Sequence, residues 1–397
     1  MAILILQKNN GYNYLNYCDK FLPKHKRRKV TGMNGKKSKV YFINSKQKKN
    51  RDLIKTIGDA FDKTGLFKKM QENDKTAVKM HFGEMGNFSS IRPVFIKKIV
   101  EKIKSYGGSP FLTDSNTLYY RKRHNAIDHL MTASTNGFNI GSMGAPIIIA
   151  DGLRGKDFKT VKINGNYFKE VFIASSIFHA DFIVAASHFT AHPLGGFGGA
   201  IKNLAMGGSA VKGKFQQHSE FVPGLKEDLC RLCGSCIETC NHGAIEKGDS
   251  SIYFISDNCV GCGECITECK YGAIHPKFKK EVKKLQEKMV EYLMGIVKEK
   301  EGKIVYINSL TDITPHCDCT SFSEVPFVSD QGILISGDPI AIDKASVDII
   351  NSAPFNTDSP YRKKGEGKDK FEIINEDVSW KYQISYGMEM GVGNWSL

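Results

Sequence analysis

The sequence predicts an α/β protein whose mostly parallel sheet is flanked by helices and interrupted by a small α+β module rich in cysteine. Strand and helix patterns alternate between residues 39 and 220, and the same style returns after residue 302. Such alternation is typical of a parallel sheet that is covered by helices. Between these two stretches, eight of the eleven cysteines fall within residues 230–269. A chain of 397 residues is also long enough for more than one domain.

The predicted elements follow local patterns of apolar residues. Leu53, Ile57 and Phe61 recur on one face of a helix predicted at residues 52–66. Short apolar runs bounded by turn residues predict the strands of the first half. These strands lie at residues 39–45, 76–82, 109–115, 146–150, 159–163, 170–174 and 181–187.

Two longer helices carry end signals. Pro93 suits the first turn, and Gly107 the C-terminal cap, of a helix predicted at residues 92–108. A second helix, with a continuous apolar stripe, is predicted at residues 276–301 and ends at Gly302. The α/β style then returns at residues 303–309, 332–336 and 339–351.

These patterns divide the chain into four regions. Residues 1–37 are basic and aperiodic, so we expect a disordered extension in which Met33 is an alternative start. Residues 38–225 supply the first part of an α/β body, and residues 276–397 supply a long helix and the return to that body. We expect residues 226–275, the cysteine module, to be an insertion into this single body.

The composition bounds the setting in which the protein works. The net charge is +14, but the lysines are scattered along helix faces, so an acidic redox partner protein is expected rather than nucleic acid. No run of about 18 apolar residues occurs, and the N-terminal apolar stretch is too short for a signal peptide. Clustered cysteines point to metal in a reducing compartment, so we expect a cytoplasmic protein without a membrane span.

The cysteine module contains two copies of the motif C-x2-C-x2-C-x3-C, which begin at Cys230 and Cys259. A Gly-Ala-Ile sequence follows each copy at the same offset, starting at Gly243 and Gly272. A 4Fe–4S cluster needs four thiolates, of which one copy supplies three and the other copy supplies the fourth. The predicted ligands are Cys230, Cys233, Cys236 and Cys269 for one cluster, and Cys259, Cys262, Cys265 and Cys240 for the other.

Over residues 226–275 the chain resembles the two-cluster bacterial ferredoxins, which implies a ferredoxin-like insert with two 4Fe–4S clusters that transfer single electrons. The proline that usually follows the fourth cysteine is Asn241 in one copy and Lys270 in the other. Zinc is the alternative metal. However, zinc takes four ligands in one tetrahedron rather than eight ligands in two interlocking sets.

The segment 181–208 joins a buried strand to a helix predicted to begin near Ala200. Gly198 and Gly199 precede this helix and Lys202 lies in its first turn, which suits the binding of an anion by bare N–H groups and a helix N-terminus. The histidines that bracket the loop are His188, His192 and His218. A tight turn with hydrogen-bonded surface histidines is the alternative interpretation.

Polar residues elsewhere in the sequence suggest two further groups of site residues. His81 and Asp114 lie at the ends of predicted strands, and we expect both to converge with the glycine loop because ligands bind at the carboxyl ends of strands in open α/β sheets. His316, Cys317 and Cys319 suggest a second metal-binding spot. Three ligands are too few for a closed structural site, so we expect no stoichiometric metal there, and a loop with reduced thiols is the alternative.

Several segments together resemble the domain-of-unknown-function 362 family of iron–sulfur-centre proteins, a family that implies no activity. These are VKMHFGE, FLTDSNTLY, IIIADGL, SHFTAH, GFGGAIKNLAMG, QHS, CDC and GDPIAIDKAS, within residues 38–395. The loop HPLGGFGGAIK also distantly resembles the lactate racemase family, in which two histidines and a lysine surround a nickel-pincer nucleotide tethered to the lysine. The matching residues here are His192, Lys202 and His218. Shared ancestry of the α/β body without the cofactor is the alternative.

Together these features favour an iron–sulfur oxidoreductase or electron-transfer protein whose two clusters pass electrons to a site in the α/β body. The candidate catalytic residues are His192, Lys202, His218, His188, His81 and Asp114, and the candidate anion site comprises Gly198, Gly199 and Lys202. Two alternatives belong to other classes. One is a non-redox, isomerase-like enzyme that acts on a small anionic compound or holds a nucleotide-derived cofactor, and the other is a binding protein that the clusters brace.

Overall fold

The structure, a computed structural model, is built around a sheet with nine described strands. It describes residues 5–9, 12–16, 38–45, 52–118, 121–218, 222–259, 265, 268–269, 271, 273–276, 279–364 and 367–394. In spatial order the strands, numbered along the chain, are β1 (Ile5–Asn9), β2 (Tyr12–Asn16), β3 (Val40–Asn44), β17 (Gly332–Ser336), β16 (Ile304–Leu310), β9 (Phe182–His188), β4 (Lys75–Lys79), β5 (Ser109–Asp114) and β6 (Ile147–Ile149).

The remaining described strands form four antiparallel pairs outside this sheet. They are β7 (Phe158–Lys162) with β8 (Glu170–Ala174), β10 (Thr190–His192) with β11 (Gly196–Gly198), β12 (Pro223–Leu225) with β15 (Ile274–Pro276), and β13 (Ile245–Lys247) with β14 (Ile252–Phe254). The last two pairs belong to the cysteine module.

Helices cover the sheet and connect its strands. Those described are α1 (Leu53–Thr64), α2 (Pro93–Ser105), α3 (Ala126–Thr135), α4 (Ile140–Met143), α5 (Ser175–His179), α6 (Ala200–Ala205), α7 (Val211–His218), α8 (Ser235–Thr239), α9 (Lys279–Glu299), α10 (Pro339–Ser352), α11 (Lys370–Ile374) and α12 (Lys381–Glu389). Within this set, none combines the length and the apolar character that crossing a bilayer requires.

The predicted α/β class with a mostly parallel sheet is confirmed. Strands β16, β9, β4, β5 and β6 pair in parallel, and β17 is antiparallel to both β16 and β3. Strand β3 therefore runs in the same direction as the parallel strands. Only β17 and β2, among the nine described strands, run the other way.

Both faces of the sheet are buried, which explains the continuous apolar runs of its strands. Every residue of β9 is buried. Within that strand Ile183 and Ala185 pack into the core on one face, whereas Phe182 and Val184 pack into the core on the other. Side chains alternate between the faces of a strand, so a strand that is covered on both sides carries few polar residues.

The structure refines three expectations about local elements. The glycine loop after β9 forms the short hairpin β10–β11 before α6 begins. The strands predicted at residues 159–163 and 170–174 form a separate ribbon rather than part of the central sheet. The strands β1 and β2 lie in the segment for which the sequence predicted disorder, and the other residues of 1–37 lie outside the described part of the chain.

A buried carboxylate fixes the point at which α6 begins. Asp343 of α10 accepts hydrogen bonds from the backbone N–H groups of Ala200 (2.7 Å) and Ile201 (2.9 Å). It also accepts one from the side-chain amide of Asn308 on β16, at 2.8 Å. Because the first N–H groups of a helix have no partner within the helix, this carboxylate satisfies two of them and ties α6 to α10 and β16.

Replacing Asp343 with alanine should lower the free energy of unfolding by about 3 kcal/mol, because three buried donors then lose their acceptor. Asp348→Ala on the same helix is the matched control. Its partly exposed carboxylate pairs with Lys344, so we expect a loss within about 0.5 kcal/mol. Urea unfolding of both variants measures the difference, and equal losses would contradict the role assigned to Asp343.

Candidate functional site

One cavity at the carboxyl ends of the parallel strands brings together the residues selected from the sequence. It has a volume of about 150 Å³, several times what a single water molecule needs. We call it the central cavity. The predicted residues that line it are His81, Asp114, His188, His192, Gly198, Gly199, Lys202 and His218. Convergence at the strand ends follows from the parallel topology, because those ends all meet at one edge of the sheet.

A buried ion pair forms the floor of the central cavity. The ammonium of Lys79 lies 3.0 Å from a carboxylate oxygen of Asp114, and a guanidinium nitrogen of Arg123 lies 3.6 Å from the other oxygen. Burial alone would raise the pKa of Asp114, but the charge of Lys79 reverses the effect and holds that pKa well below its ordinary value. The carboxylate is therefore ionised and serves mainly to compensate buried cations.

Lys79, Arg123 and Lys214 line the cavity and were not predicted from the sequence. Lys214 donates to the hydroxyl of Ser115 and to the carbonyl oxygen of Ser209, at 2.5 and 2.7 Å. One signal was available: Lys79 stands inside the apolar strand TAVKM, and a lysine in a buried strand needs a partner. Arg123 and Lys214 carried no comparable signal, because Arg123 lies in the loop before α3 and Lys214 lies within α7, where charged residues are common.

His188 is held in place by both of its ring nitrogens. Nδ1 donates to the carboxylate of Asp318 at 2.7 Å, and Nε2 donates to the carbonyl oxygen of Thr311 at 2.6 Å. Burial lowers the pKa of His188, but the adjacent Asp318 outweighs that effect, and the net shift is upward. A doubly donating imidazolium is suited to orienting Asp318 rather than to exchanging protons with a ligand.

His192 is neutral and has a defined tautomer. Its Nδ1 accepts hydrogen bonds from the N–H groups of Leu194 (3.1 Å) and Gly195 (2.9 Å), so the ring proton is on Nε2. Burial, followed by the charge of Lys202, lowers the pKa of His192 well below its ordinary value. The side chain therefore presents an N–H donor.

Lys202 is a cation of the cavity that forms no hydrogen bond or ion pair with the described residues. Its side chain is partly exposed and lines the cavity, and within the described part of the chain no hydrogen bond or ion pair reaches its ammonium. Burial lowers the pKa of Lys202 to about 8, against the opposing charge of Asp318. An ammonium that is desolvated and unpaired is stabilised by a bound anion.

A carboxylate of the protein itself occupies the start of α6, where the sequence analysis expected an anion to bind. The N–H groups of Ala200 and Ile201 already donate to Asp343. A Cβ atom on Gly199 would lie 2.4 Å from a carboxylate oxygen of Asp343, so glycine is required there for packing. A Cβ atom on Gly198 would meet nothing closer than 3.8 Å, which leaves Gly198 and Lys202 as the parts of the loop that are open to a ligand.

Cys317 and Cys319 form a disulfide in the wall of the same cavity. Their sulfurs and a ring nitrogen of His192 all lie within 4.8 Å of one another, a group that could hold a metal ion if the sulfurs were reduced. The sequence had placed His316 with these cysteines, and this is corrected: His316 lies 3.5 Å from Glu324 and packs against Phe322. The alternative of a loop with reduced thiols is also not found, because the two sulfurs form a disulfide.

In the cysteine module, one predicted ligand set lines a second, smaller cavity of about 20 Å³. The cysteines around it are Cys230, Cys233, Cys236 and Cys269, of which the last comes from the other motif copy. Of the second set, Cys240, Cys259 and Cys265 are described, whereas Cys262 lies outside the described residues. The strand pair β12–β15 closes the module where it leaves the body.

The Gly-Ala-Ile sequence after each motif copy places a backbone hydrogen-bond donor beside a cysteine sulfur. The N–H of Ala244 donates to the sulfur of Cys240 at 3.4 Å, and the N–H of Ala273 donates to the sulfur of Cys269 at 3.2 Å. In each copy the fourth cysteine therefore receives an amide hydrogen bond from the residue four positions later. Donors of this kind stabilise negative charge on sulfur.

Comparison with known proteins gives one family and two partial structural similarities. Residues 76–348 match the family described as "Domain of unknown function (DUF362)". The structure is similar to the lactate racemase apoprotein from Thermoanaerobacterium thermosaccharolyticum, with 9% identity, a TM-score of 0.33 and coverage of 66% of this chain and 45% of that chain. It is also similar to a structural-genomics target from Thermotoga maritima, with 10% identity, a TM-score of 0.34 and coverage of 64% and 50%.

The chain thus spans about half the length of these two proteins. At these values the similarity concerns part of the fold and extends neither to a ligand nor to an activity. No curated protein matches the sequence.

The two glycines before α6 should respond differently to substitution. Gly199→Ala should lower the free energy of unfolding by about 2 kcal/mol, because its φ of −141° suits any residue but its Cβ would meet Asp343 and, at 2.7 Å, Phe189. Gly198→Ala should change that free energy by less than about 0.5 kcal/mol. Urea unfolding distinguishes them, and similar losses for both would show that the loop packs differently.

Proposed function

We propose that this chain, which belongs to the domain of unknown function (DUF362) family, binds two 4Fe–4S clusters in its cysteine module and supports single-electron chemistry at the central cavity. The observation that carries the proposal is the convergence of Cys230, Cys233 and Cys236 with Cys269 around one small cavity. Bound clusters of this type accept and release one electron at a time.

The arrangement of the sulfurs supports clusters rather than zinc. Around the small cavity, three cysteines come from one C-x2-C-x2-C-x3-C copy and the fourth from the other copy, which is the ligand pattern of two-cluster ferredoxins rather than a usual zinc spacing. We assign Cys230, Cys233, Cys236 and Cys269 to one cluster, and Cys259, Cys262, Cys265 and Cys240 to the other. The amide hydrogen bonds to the sulfurs of Cys240 and Cys269 favour thiolate ligands in both sets.

The central cavity would bind a small anion, and Lys202 is the residue that supports this assignment. Its ammonium faces the cavity without a partner among the described residues, whereas Lys79 and Lys214 are both hydrogen-bonded. A carboxylate or phosphate group is the counter-charge that such an ammonium requires. Gly198 leaves room for close approach of the ligand beside the Lys202 side chain.

The other selected residues have supporting functions in this proposal. Asp114 compensates Lys79 and Arg123, and His188 orients Asp318. His192 presents its Nε2–H as a hydrogen-bond donor at the cavity wall. His81 and His218 also line the cavity.

A cytoplasmic, reducing setting and a redox partner protein complete the proposal. Cluster thiolates persist where disulfides are rare. A chain with a net charge of +14 attracts an acidic partner, which would deliver electrons to the module or accept them from it.

A non-redox function at the same cavity is the alternative. His192, Lys202 and His218 surround the cavity together, as a nucleotide-derived cofactor would require. The tautomer of His192 argues against metal ligation there, because Nδ1 already accepts two hydrogen bonds and Nε2 carries the proton. The other alternative is a binding protein in which the clusters only stabilise the fold. In such a protein the clusters would not be reducible.

Anaerobically purified protein should contain about eight iron atoms and eight acid-labile sulfides per chain. The double variant Cys317→Ser/Cys319→Ser is the matched control and should retain this content, because neither residue belongs to a cluster set. Metal and sulfide analysis checks both proteins. Stoichiometric zinc, or an iron content near four, would contradict the proposal.

The same iron analysis tests whether each cluster takes its fourth cysteine from the other motif copy. Cys233→Ser/Cys269→Ser removes two ligands of one cluster and should leave about four iron atoms, whereas Cys233→Ser/Cys240→Ser removes one ligand from each cluster and should leave few. The reverse result would show that each motif copy ligates its own cluster.

Lys202→Met should weaken the binding of inorganic phosphate at least tenfold, whereas Lys212→Met, on the exposed side of α7, should leave it unchanged. Because burial lowers the pKa of Lys202 to about 8, the ammonium is present below that pH and is lost as pH rises through it. Phosphate affinity in wild type should therefore fall about tenfold per pH unit above 8. Calorimetric titration checks this, and equal affinity in both variants would exclude Lys202 as the anion site.

A further inference from the structure

We propose that the Cys317–Cys319 disulfide is a redox-active bond that exchanges with a small thiol bearing a carboxylate or phosphate group. The bond lines the central cavity together with Lys202 and His192. The inference rests on the proposed function in one respect, the anion site at Lys202.

A structural role explains little about this disulfide. Cross-links stabilise a fold more as the loop that they close becomes longer, and this one spans a single intervening residue. The pair borders the cavity rather than joining distant elements. In the reducing setting proposed for the chain, disulfides that do occur are usually transient, catalytic or sensing.

The surroundings of the two sulfurs distinguish their roles. Cys319 is partly exposed, whereas Cys317 is buried, so Cys319 is the sulfur that a thiolate can reach. The backbone N–H of Cys319 donates to the sulfur of Cys317 at 3.4 Å. That hydrogen bond stabilises negative charge on Cys317, which makes Cys317 the leaving sulfur.

His192 is placed to stabilise the leaving sulfur with a hydrogen bond. A ring nitrogen of His192 lies within 4.8 Å of both sulfurs. Its Nδ1 accepts two backbone hydrogen bonds, so the ring proton is on Nε2, where it can form a hydrogen bond to a thiolate. The same tautomer leaves no lone pair free for a metal ion, which favours thiol chemistry over metal binding at this group.

Asp318 and His188 hold the intervening residue in position. The carboxylate of Asp318, between the two cysteines in the chain, accepts from Nδ1 of His188 at 2.7 Å. The imidazolium compensates a carboxylate that would otherwise repel an approaching thiolate. His188 is therefore a positioning residue for the disulfide.

The exchange balances without an additional oxidant. A substrate thiolate attacks the sulfur of Cys319, the S–S bond breaks, and its electron pair passes to Cys317, which takes up the proton that the substrate thiol released. A second substrate thiolate then attacks the mixed disulfide and releases Cys319. Two thiols become one disulfide while the cysteine pair becomes a dithiol, and the reverse sequence reduces a substrate disulfide. Lys202 holds the acidic group of the thiol.

The test uses the full chain with its clusters, under anaerobic conditions, and measures reduction of the Cys317–Cys319 bond. Trypsin should release residues 304–344 as one peptide, which carries these two cysteines and no others. Acid quenching, alkylation and mass spectrometry of this peptide then report its thiols. The probes are 3-mercaptopropionate and 2-mercaptoethanol, each rate being divided by that thiol's rate with a small disulfide in solution.

Wild type should prefer the anionic thiol at least tenfold after this normalisation. Lys202→Met should remove the preference, whereas Lys212→Met should retain it. Equal normalised rates for the two thiols in wild type, or a bond that neither thiol reduces in the folded protein, would overturn the inference.

The failures of the two proposals are distinguishable. If Lys202→Met leaves phosphate binding unchanged but removes the thiol preference, the anion assignment fails while the exchange stands. If phosphate binding depends on Lys202 but the thiol preference is absent in wild type, the inference alone fails.

A separate experiment tests which of the two sulfurs a thiolate attacks. Cys317→Ser leaves Cys319 free, and this variant should form a mixed disulfide with the symmetrical disulfide of 3-mercaptopropionate. Cys319→Ser should react at least tenfold more slowly, since Cys317 is buried. Faster reaction of Cys317 would overturn the assignment of Cys319 as the attacked sulfur.

Discussion

The buried ion pair between Lys79 and Asp114 constrains how the strands and α6 pack together at this edge of the sheet. It joins the ends of β4 and β5 at a distance of 3.0 Å. Lys79 also donates to the side chain of Asn203, which in turn donates to the backbone of β4 and β9. Through this network α6 is bound to three strands at once. Buried charges of this kind are tolerated only when each is compensated, so the network leaves little freedom in how the cavity is shaped.

Much of the fold could be predicted because its signals are local. The strands near residues 76 and 182 are apolar runs between turn residues, and the ends of α2 are marked by Pro93 and Gly107. The site was partly predictable for a topological reason: residues that follow parallel strands must meet at one edge, which places His81 and Asp114 beside the glycine hairpin.

The remaining features depend on pairings between distant positions, for which the sequence holds no local signal. Asp343 accepts hydrogen bonds from two N–H groups at the start of α6 although it lies more than 140 positions away, and no local pattern predicts this pairing. His192 rather than His316 lies beside Cys317 because the hairpin and the later loop pack together. The cysteine spacing defines the proposed ligand sets, but the amide donors of Ala244 and Ala273 emerge only from the folded backbone.

The neck of the cysteine module has a consequence for how this protein could have arisen. Strands β12 and β15 pair with Pro223 opposite Pro276, so the chain leaves the body and returns to it at nearly the same place. An insertion with adjoining ends disturbs no hydrogen bond of the host sheet, and such sites tolerate the gain or loss of whole segments. None of the nine described strands of the central sheet lies between β12 and β15, so a shorter chain with a turn in place of the module would retain every strand pairing that positions the central cavity.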